Sequence, residues 1–316
     1  MCDLVKLYHS SLGHGAFSCD FFKTSPFLDH SMAVRSSYPL RYILRYWLAD
    51  HPSIASFRWD QNTWGGAWTV PAASVPLYLF VIFFIKLLFS WRKKPIPLGP
   101  IPVLHNLLLL LSSIVIFAGC WQAAVVEIQE SRWLWGNSRR GLDWLLCFPL
   151  GTRPAGRVFF WSYVYYLSKF YELFDTVILV LRKKKLTFLH LFHHAALIIM
   201  CFCWLQFTQS LQVLTIITNA GVNAIKYLYL LFHSLGYSPS WKKRVTNCQI
   251  LQSMLSSVAS IGCLMLHLRG GGCAGMGAWI FHFISDITLL LLSLDLYFKQ
   301  CGEFKEITKE EKKKQI

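Results

Sequence analysis

Apolar positions fall into seven long windows separated by charged or turn-forming stretches: Ala72–Trp91, Val103–Val126, Val158–Leu181, Leu186–Leu205, Leu211–Leu235, Val245–Leu266 and Ala278–Phe298. Each is long enough to cross a hydrocarbon layer of about 30 Å as a helix, and in lipid a helix satisfies its own backbone polar groups. The pattern predicts an all-α polytopic membrane protein with seven transmembrane helices in one domain over residues 40–298, since no Pro/Ser-rich linker divides it. Leu40, Ile43, Leu44 and Trp47 share a helical face, which suits a helix lying on the membrane surface. Residues 1–39 lack the compact apolar core of a secretory signal and read as a disordered extension, with Met32 a candidate start; residues 299–316 form a Lys-rich tail.

The polar residues inside these windows are not scattered. Segment three carries Lys169, Glu172 and Thr176 on one face with Asp175 beside them, and segment four carries His190, His193 and His194 at helical offsets of three and four. Segment five contributes Asn219, Asn223, Lys226 and Tyr227; segment six contributes Thr246, Gln249 and Gln252. At about 1.5 Å rise per residue, nearly all lie within two or three turns of one membrane boundary. Facing lipid, each unsatisfied group would cost several kcal/mol. The stripes are therefore expected to face one another around an intramembrane polar chamber, with the apolar halves beyond it lining a pocket for a hydrocarbon chain. The plainer alternative is hydrogen bonding that only holds a bundle together. Lys226 and Asp286 sit at compatible depth and are expected to pair between segments five and seven.

Charge refines the picture. The 31 Lys and Arg outnumber 16 Asp and Glu, a formal net charge of +15, but their placement argues against nucleic acid. Basic clusters at Arg92–Lys94, Arg182–Lys185 and Lys242–Arg244, and the tail, follow the odd-numbered segments, whereas the connection Gln206–Ser210 on the other side has no charge. Lys and Arg mark the cytoplasmic face, so the C-terminus is expected in the cytosol. The chain ends KKKQI, placing Lys313 and Lys314 as a dilysine signal for retrieval to the endoplasmic reticulum. Among ten cysteines no CxxC pair occurs; Cys120 and Cys273 both fall near the lumenal side, where a disulfide between them is expected.

Three imidazoles in little more than a turn have three chemical uses. They can ligate a metal, act as neutral bases or nucleophiles with a carboxylate such as Glu172 or Asp175 fixing the tautomer, or simply donate to neighbouring helices. A metal-dependent lipid oxidase ranks below the second use, because the chain has one histidine box and no Glu between its ligands.

At this point the motifs resemble those of the ELO family of fatty-acid elongases. HLFHH is similar to HxxHH, KFYELFDT to KxxExxDT, TNCQILQ to TxxQxxQ, and His105–Asn106 to the family's HN pair, in the same order over about Leu40 to Tyr297. The resemblance implies six helices forming a barrel around an acyl tunnel, and the chain-extending condensation of acyl-CoA with malonyl-CoA to 3-oxoacyl-CoA, carbon dioxide and CoA. It implies His193 as a nucleophile carrying the acyl group, oriented by His190 and His194. Lys169, Gln249 or Gln252 would offset oxyanion charge. Glu172, Asp175, Asn219 and Tyr227 would line the substrate site, and Lys183, Lys184, Lys242, Lys243 and Arg244 would meet the CoA phosphates. No metal or cofactor is implied, since both CoA thioesters are substrates. The implied partners are membrane lipid and the reductases and dehydratase of the elongation cycle in the endoplasmic reticulum.

The chain departs from the family in segment five, where NxxxHxxMYxYY becomes NAGVNAIKYLYL: Asn223 replaces His, Lys226 replaces Met and Leu230 replaces Tyr. Asparagine cannot shuttle a proton near neutral pH. Segment seven has His282 and Asp286 where asparagines are expected. An elongase-like protein that binds acyl-CoA or elongase partners without catalysing is therefore the alternative reading.

Overall fold

A computed structural model describes residues 40–135, 141–237 and 239–314; the side chains of Arg41, of residues 131–142 and of those from Gln300 onward are not described. The expected extension over residues 1–39 with Met32, and the side chains of Lys313 and Lys314, lie outside the described residues.

The described residues form helices, with no strand longer than an isolated bridge between Arg58 and Ala155. Seven long helices match the seven windows: α1 Thr69–Leu88, α2 Ile101–Trp135, α3 Arg157–Leu181, α4 Phe188–Phe207, α5 Leu211–Ser234, α6 Lys242–Arg269 and α7 Met276–Lys314. Six of these are long and apolar enough to cross a membrane, so the chain is a multi-pass membrane protein. The exception, α3, has the length at 25 residues but not the apolarity. Lys169, Glu172 and Asp175 interrupt it, and all three are buried. Shorter pieces are helical at Leu40–Arg45, Pro52–Ala55 and Gly141–Leu146, with a π-turn at Tyr46–Asp50.

Helix packing closes a ring. Helix α2 packs on α3, α3 on α4, α4 on α7, α7 on α6, α6 on α5, and α5 back on α2. Helix α1 stands outside it, against α3 and α4, and turns Leu77, Phe80, Phe83 and Leu87 outward. The six-helix barrel implied by the family resemblance is therefore present. Alternation of chain direction puts the starts of α2, α4 and α6 with the ends of α3 and α5 at one end, here the histidine end.

At the opposite end Cys147, just after the Gly141–Leu146 helix, is bonded to Cys273 in the α6–α7 connection, across 126 residues of sequence. The expected Cys120–Cys273 pairing is thus incorrect: Cys120 is a free, buried thiol. The reason is geometric. Helix α2 continues to Trp135 instead of stopping at Val126, leaving Cys120 about four turns inside it, while Cys147 lies at the level of Cys273. Arg157, opening α3, ties this end together through Glu130 (2.9 Å), Glu127 and Asp50 (both 3.4 Å) and the Ala49 carbonyl (3.2 Å).

Aromatic and aliphatic side chains fill the ring toward this end, among them Phe148, Trp161, Phe202, Trp204, Leu205, Val213 and Ile216. Gly119 permits the closest approach: a Cβ there would fall 2.1 Å from the Trp161 ring. Helix α6 is less apolar here than expected, for Ser256, Ser257 and Ser260 are buried. Their cost is offset by hydrogen bonds, Ser257 and Ser260 donating to backbone carbonyls one turn earlier.

Candidate active site

The polar stripes converge at the histidine end around a cavity of about 440 Å³. Thr187 caps α4 by accepting from the His190 amide (3.3 Å) and so starts the helix one turn before the histidines. From there His190, His193 and His194 all reach the cavity wall. Asp175 from α3, Asn219, Asn223 and Lys226 from α5, Thr246, Gln249 and Gln252 from α6, and Asp286 from α7 are among the other polar groups of the lining.

The three imidazoles are held differently. His190 Nε2 is 2.9 Å from the Thr176 hydroxyl, which in turn meets the Tyr78 hydroxyl of α1 at 2.9 Å. His190 and His194 pack edge to face with ring centres 4.6 Å apart. His194 is 2% exposed and its Nδ1 has no hydrogen-bond partner among the described residues. His193 touches His194 edge to face, and no hydrogen bond from a described residue engages its ring nitrogens, which are available to a guest in the cavity.

Two networks brace the wall. In the first, Asp175 receives His105 Nε2 on one oxygen and the Tyr227 hydroxyl on the other, each at 2.8 Å. Lys226 donates to the same Tyr227 hydroxyl at 3.0 Å and lies 3.7 Å from the carboxylate. In the second, Asn219 Oδ1 accepts from the Tyr165 hydroxyl (2.7 Å) and from Asn223 (3.0 Å), while its amide donates to Gln252 (3.4 Å). Asn106 fastens α2 to the end of α5 through Ser234 (2.9 Å). The bonds to Asp175 and from Lys226 are charge-assisted, those of the second network are neutral, and together they fix the side-chain directions of the wall.

Several expectations need correction. Lys226 does not pair with Asp286; its partner is Asp175. Counted from the disulfide-end starts of α5 and α7, Lys226 is about 22 Å along and Asp286 about 15 Å, and Asp286 sits instead one turn from His282 (3.6 Å). His282 also accepts from Trp204 at 3.0 Å. Lys169 and Glu172 do not face the cavity. They form a buried ion pair within α3, with the ammonium 4.0 Å above the Tyr165 ring. Tyr227 stands behind the wall, fully buried.

The basic groups divide as well. Lys184, Lys242 and Arg182 line the mouth. Arg182, Lys184 and His233 are shared with an adjoining cleft of about 520 Å³ against Pro95–Gly99. Lys183, exposed, turns back to the Phe89 carbonyl, and Lys243 and Arg244 are exposed outside the cavity lining. Partial burial, and then the charges of Arg182 and Lys242, lower the Lys184 pKa from the ordinary lysine value. A cluster with this much positive charge is suited to phosphate.

Residues 63–314 match the family described as ELO, GNS1/SUR4, and the chain belongs to that family. It is 40% identical over 263 residues to the Arabidopsis thaliana protein named Fatty acid elongase 3-like, covering 81% of this chain and 91% of that one. Two Dictyostelium discoideum proteins are also similar. Fatty acid elongase sre1 is 33% identical over 66% of this chain and 75% of its own length; fatty acid elongase A is 32% identical over 67% and 74%. Homology thus supports a role in fatty-acid elongation.

Proposed function

We propose that the protein is the condensing enzyme of very-long-chain fatty-acid elongation, a 3-oxoacyl-CoA synthase. The observation that carries this reading is His193: a nucleophile-capable imidazole, without another hydrogen-bonding claim on it, in a buried cavity whose mouth is basic. An acyl chain enters the cavity while the CoA phosphates meet Arg182, Lys184 and Lys242. The neutral His193 nitrogen attacks the thioester carbon, CoA thiolate leaves, and an acyl-imidazole remains. Malonyl-CoA then loses carbon dioxide and its enolate carbon displaces the imidazole, giving 3-oxoacyl-CoA. His190, oriented by Thr176, and His194, with its unpartnered Nδ1, position His193 and handle protons; Gln249 and Gln252 offer amides to developing negative charge.

In this reading α3 is a seventh span, acceptable in lipid because its charges are paired inside the ring. The basic mouth faces the cytosol, as does the C-terminus, and the Cys147–Cys273 bond faces the oxidising lumen of the endoplasmic reticulum. Reductases and a dehydratase that process the 3-oxoacyl product are the expected partners.

Asn223 in the cavity wall favours the alternative of an acyl-CoA binder without catalysis. Membranes carrying the protein, supplied with acyl-CoA and labelled malonyl-CoA, separate the two. The parent is expected to form 3-oxoacyl-CoA and His193→Ala to lose about 10³-fold or more. An inactive parent that gains activity on Asn223→His would establish the non-catalytic reading instead.

A further inference from the structure

Lys226 shares the cavity lining with the three histidines and is tied into the Asp175–Tyr227 network, and no motif marked it for chemistry. An ammonium has three donors. One goes to the Tyr227 hydroxyl at 3.0 Å, with the ammonium 4.2 Å above that ring. Asp175, 3.7 Å away, is too distant for a direct hydrogen bond, and both its oxygens already accept from His105 and Tyr227. The carboxylate therefore compensates the charge of Lys226 without occupying its remaining donors, and the side chain keeps 19% of its surface exposed as part of the cavity wall. Lys169 is the contrast. It is buried, bonded to Glu172, and absent from the cavity lining.

Resting on the condensing reading above, we propose that Lys226 is a catalytic residue of the malonyl half-reaction, donating to the oxygen of the malonyl thioester as its enolate forms. The bond between the malonyl α-carbon and its carboxylate breaks and carbon dioxide departs. The electron pair moves onto the thioester oxygen, where Lys226 meets it. As the enolate carbon bonds to the acyl carbon and the acyl carrier leaves, the carbonyl reforms. Lys226 keeps its proton throughout. Asn223, one turn earlier on the same helix, adds an uncharged amide to that wall; methionine at position 226, the family pattern, would offer no donor. A positioned cation acts where charge develops, so it lowers the barrier more than it tightens ground-state binding.

The test uses the full chain in lipid nanodiscs, comparing the parent with Lys226→Met and Lys226→Arg. Release of labelled carbon dioxide from malonyl-CoA, 3-oxoacyl-CoA formation and transfer of a labelled acyl group to the protein are followed together. Lys226→Met is expected to lower kcat for carbon dioxide release and condensation in parallel by about 10²-fold. The KM for malonyl-CoA should stay within about threefold, acyl loading should be unchanged, and Lys226→Arg should recover about tenfold. Lys226→Gln serves if the methionine variant does not fold. Unaltered kcat, or a loss confined to KM or to acyl loading, overturns the role of Lys226 while leaving the condensing reading intact. A parent that forms no product overturns both.

Discussion

Toward the disulfide end Trp161, Phe202, Trp204 and Leu205 fill the ring to the point that a single methyl at Gly119 would collide with an indole. At the histidine end the same helices leave a cavity of about 440 Å³ edged by amides, imidazoles, carboxylates and ammonium groups. One end holds its shape by filling space, the other by hydrogen bonds between side chains that stand apart. A cavity in apolar packing is costly because the lining loses contacts. A polar-lined cavity keeps its walls apart by networks such as Tyr165–Asn219–Gln252 and His105–Asp175–Tyr227, and its polar groups remain available to a guest. The packed end anchors the ring so that the open end keeps its geometry.

The contrast is best broken at the packed end. Gly119→Leu is expected to abolish accumulation of folded protein, a loss above about 4 kcal/mol, read as aggregation in size-exclusion chromatography in detergent. Next, Cys273→Ser should lower stability by about 3 kcal/mol, seen as a lower thermal midpoint. Intact mass after alkylation should show two further modified cysteines in the parent once reductant is added. At the open end Asp175→Asn should cost about 2 kcal/mol, because a charged acceptor shared by His105 and Tyr227 is replaced; its signature is loss of condensation at near-normal expression.

The smallest effect is expected at the mouth. The lowered pKa of Lys184 means that its proton leaves at a lower pH than an isolated lysine's. Affinity for CoA should therefore weaken as pH rises through that lowered value. Lys184→Gln should weaken CoA binding about threefold at neutral pH and flatten that alkaline limb, as titration calorimetry would record.

Much of this contrast was legible in the chain. Hydrophobic windows located the seven helices to within a few residues at most ends, and helical spacing within each stripe, His190, His193 and His194 on α4 and Asn219 and Asn223 on α5, turned all five toward the cavity. What failed was the part that depends on where each helix stops and which way it turns. Hydropathy ended segment two at Val126, yet α2 runs on through polar residues to Trp135, and that error chose the wrong partner for Cys273. Helical spacing grouped Lys169 with Glu172 correctly, but could not reveal that the two satisfy each other and face Tyr165. Lys226 drew notice as an intramembrane charge, and its partner depended on a depth difference of about 7 Å. That difference is smaller than sequence windows define.

Closure of the ring by α2 through α7, with α1 left outside, also governs traffic. In the condensing reading, a guest long enough to fill the barrel is flanked on every side by neighbouring helices that pack on one another, so it would slide lengthwise through the basic mouth. Departure would then slow with every carbon added, and the dwell of the finished chain, more than its making, would set the tempo of each cycle.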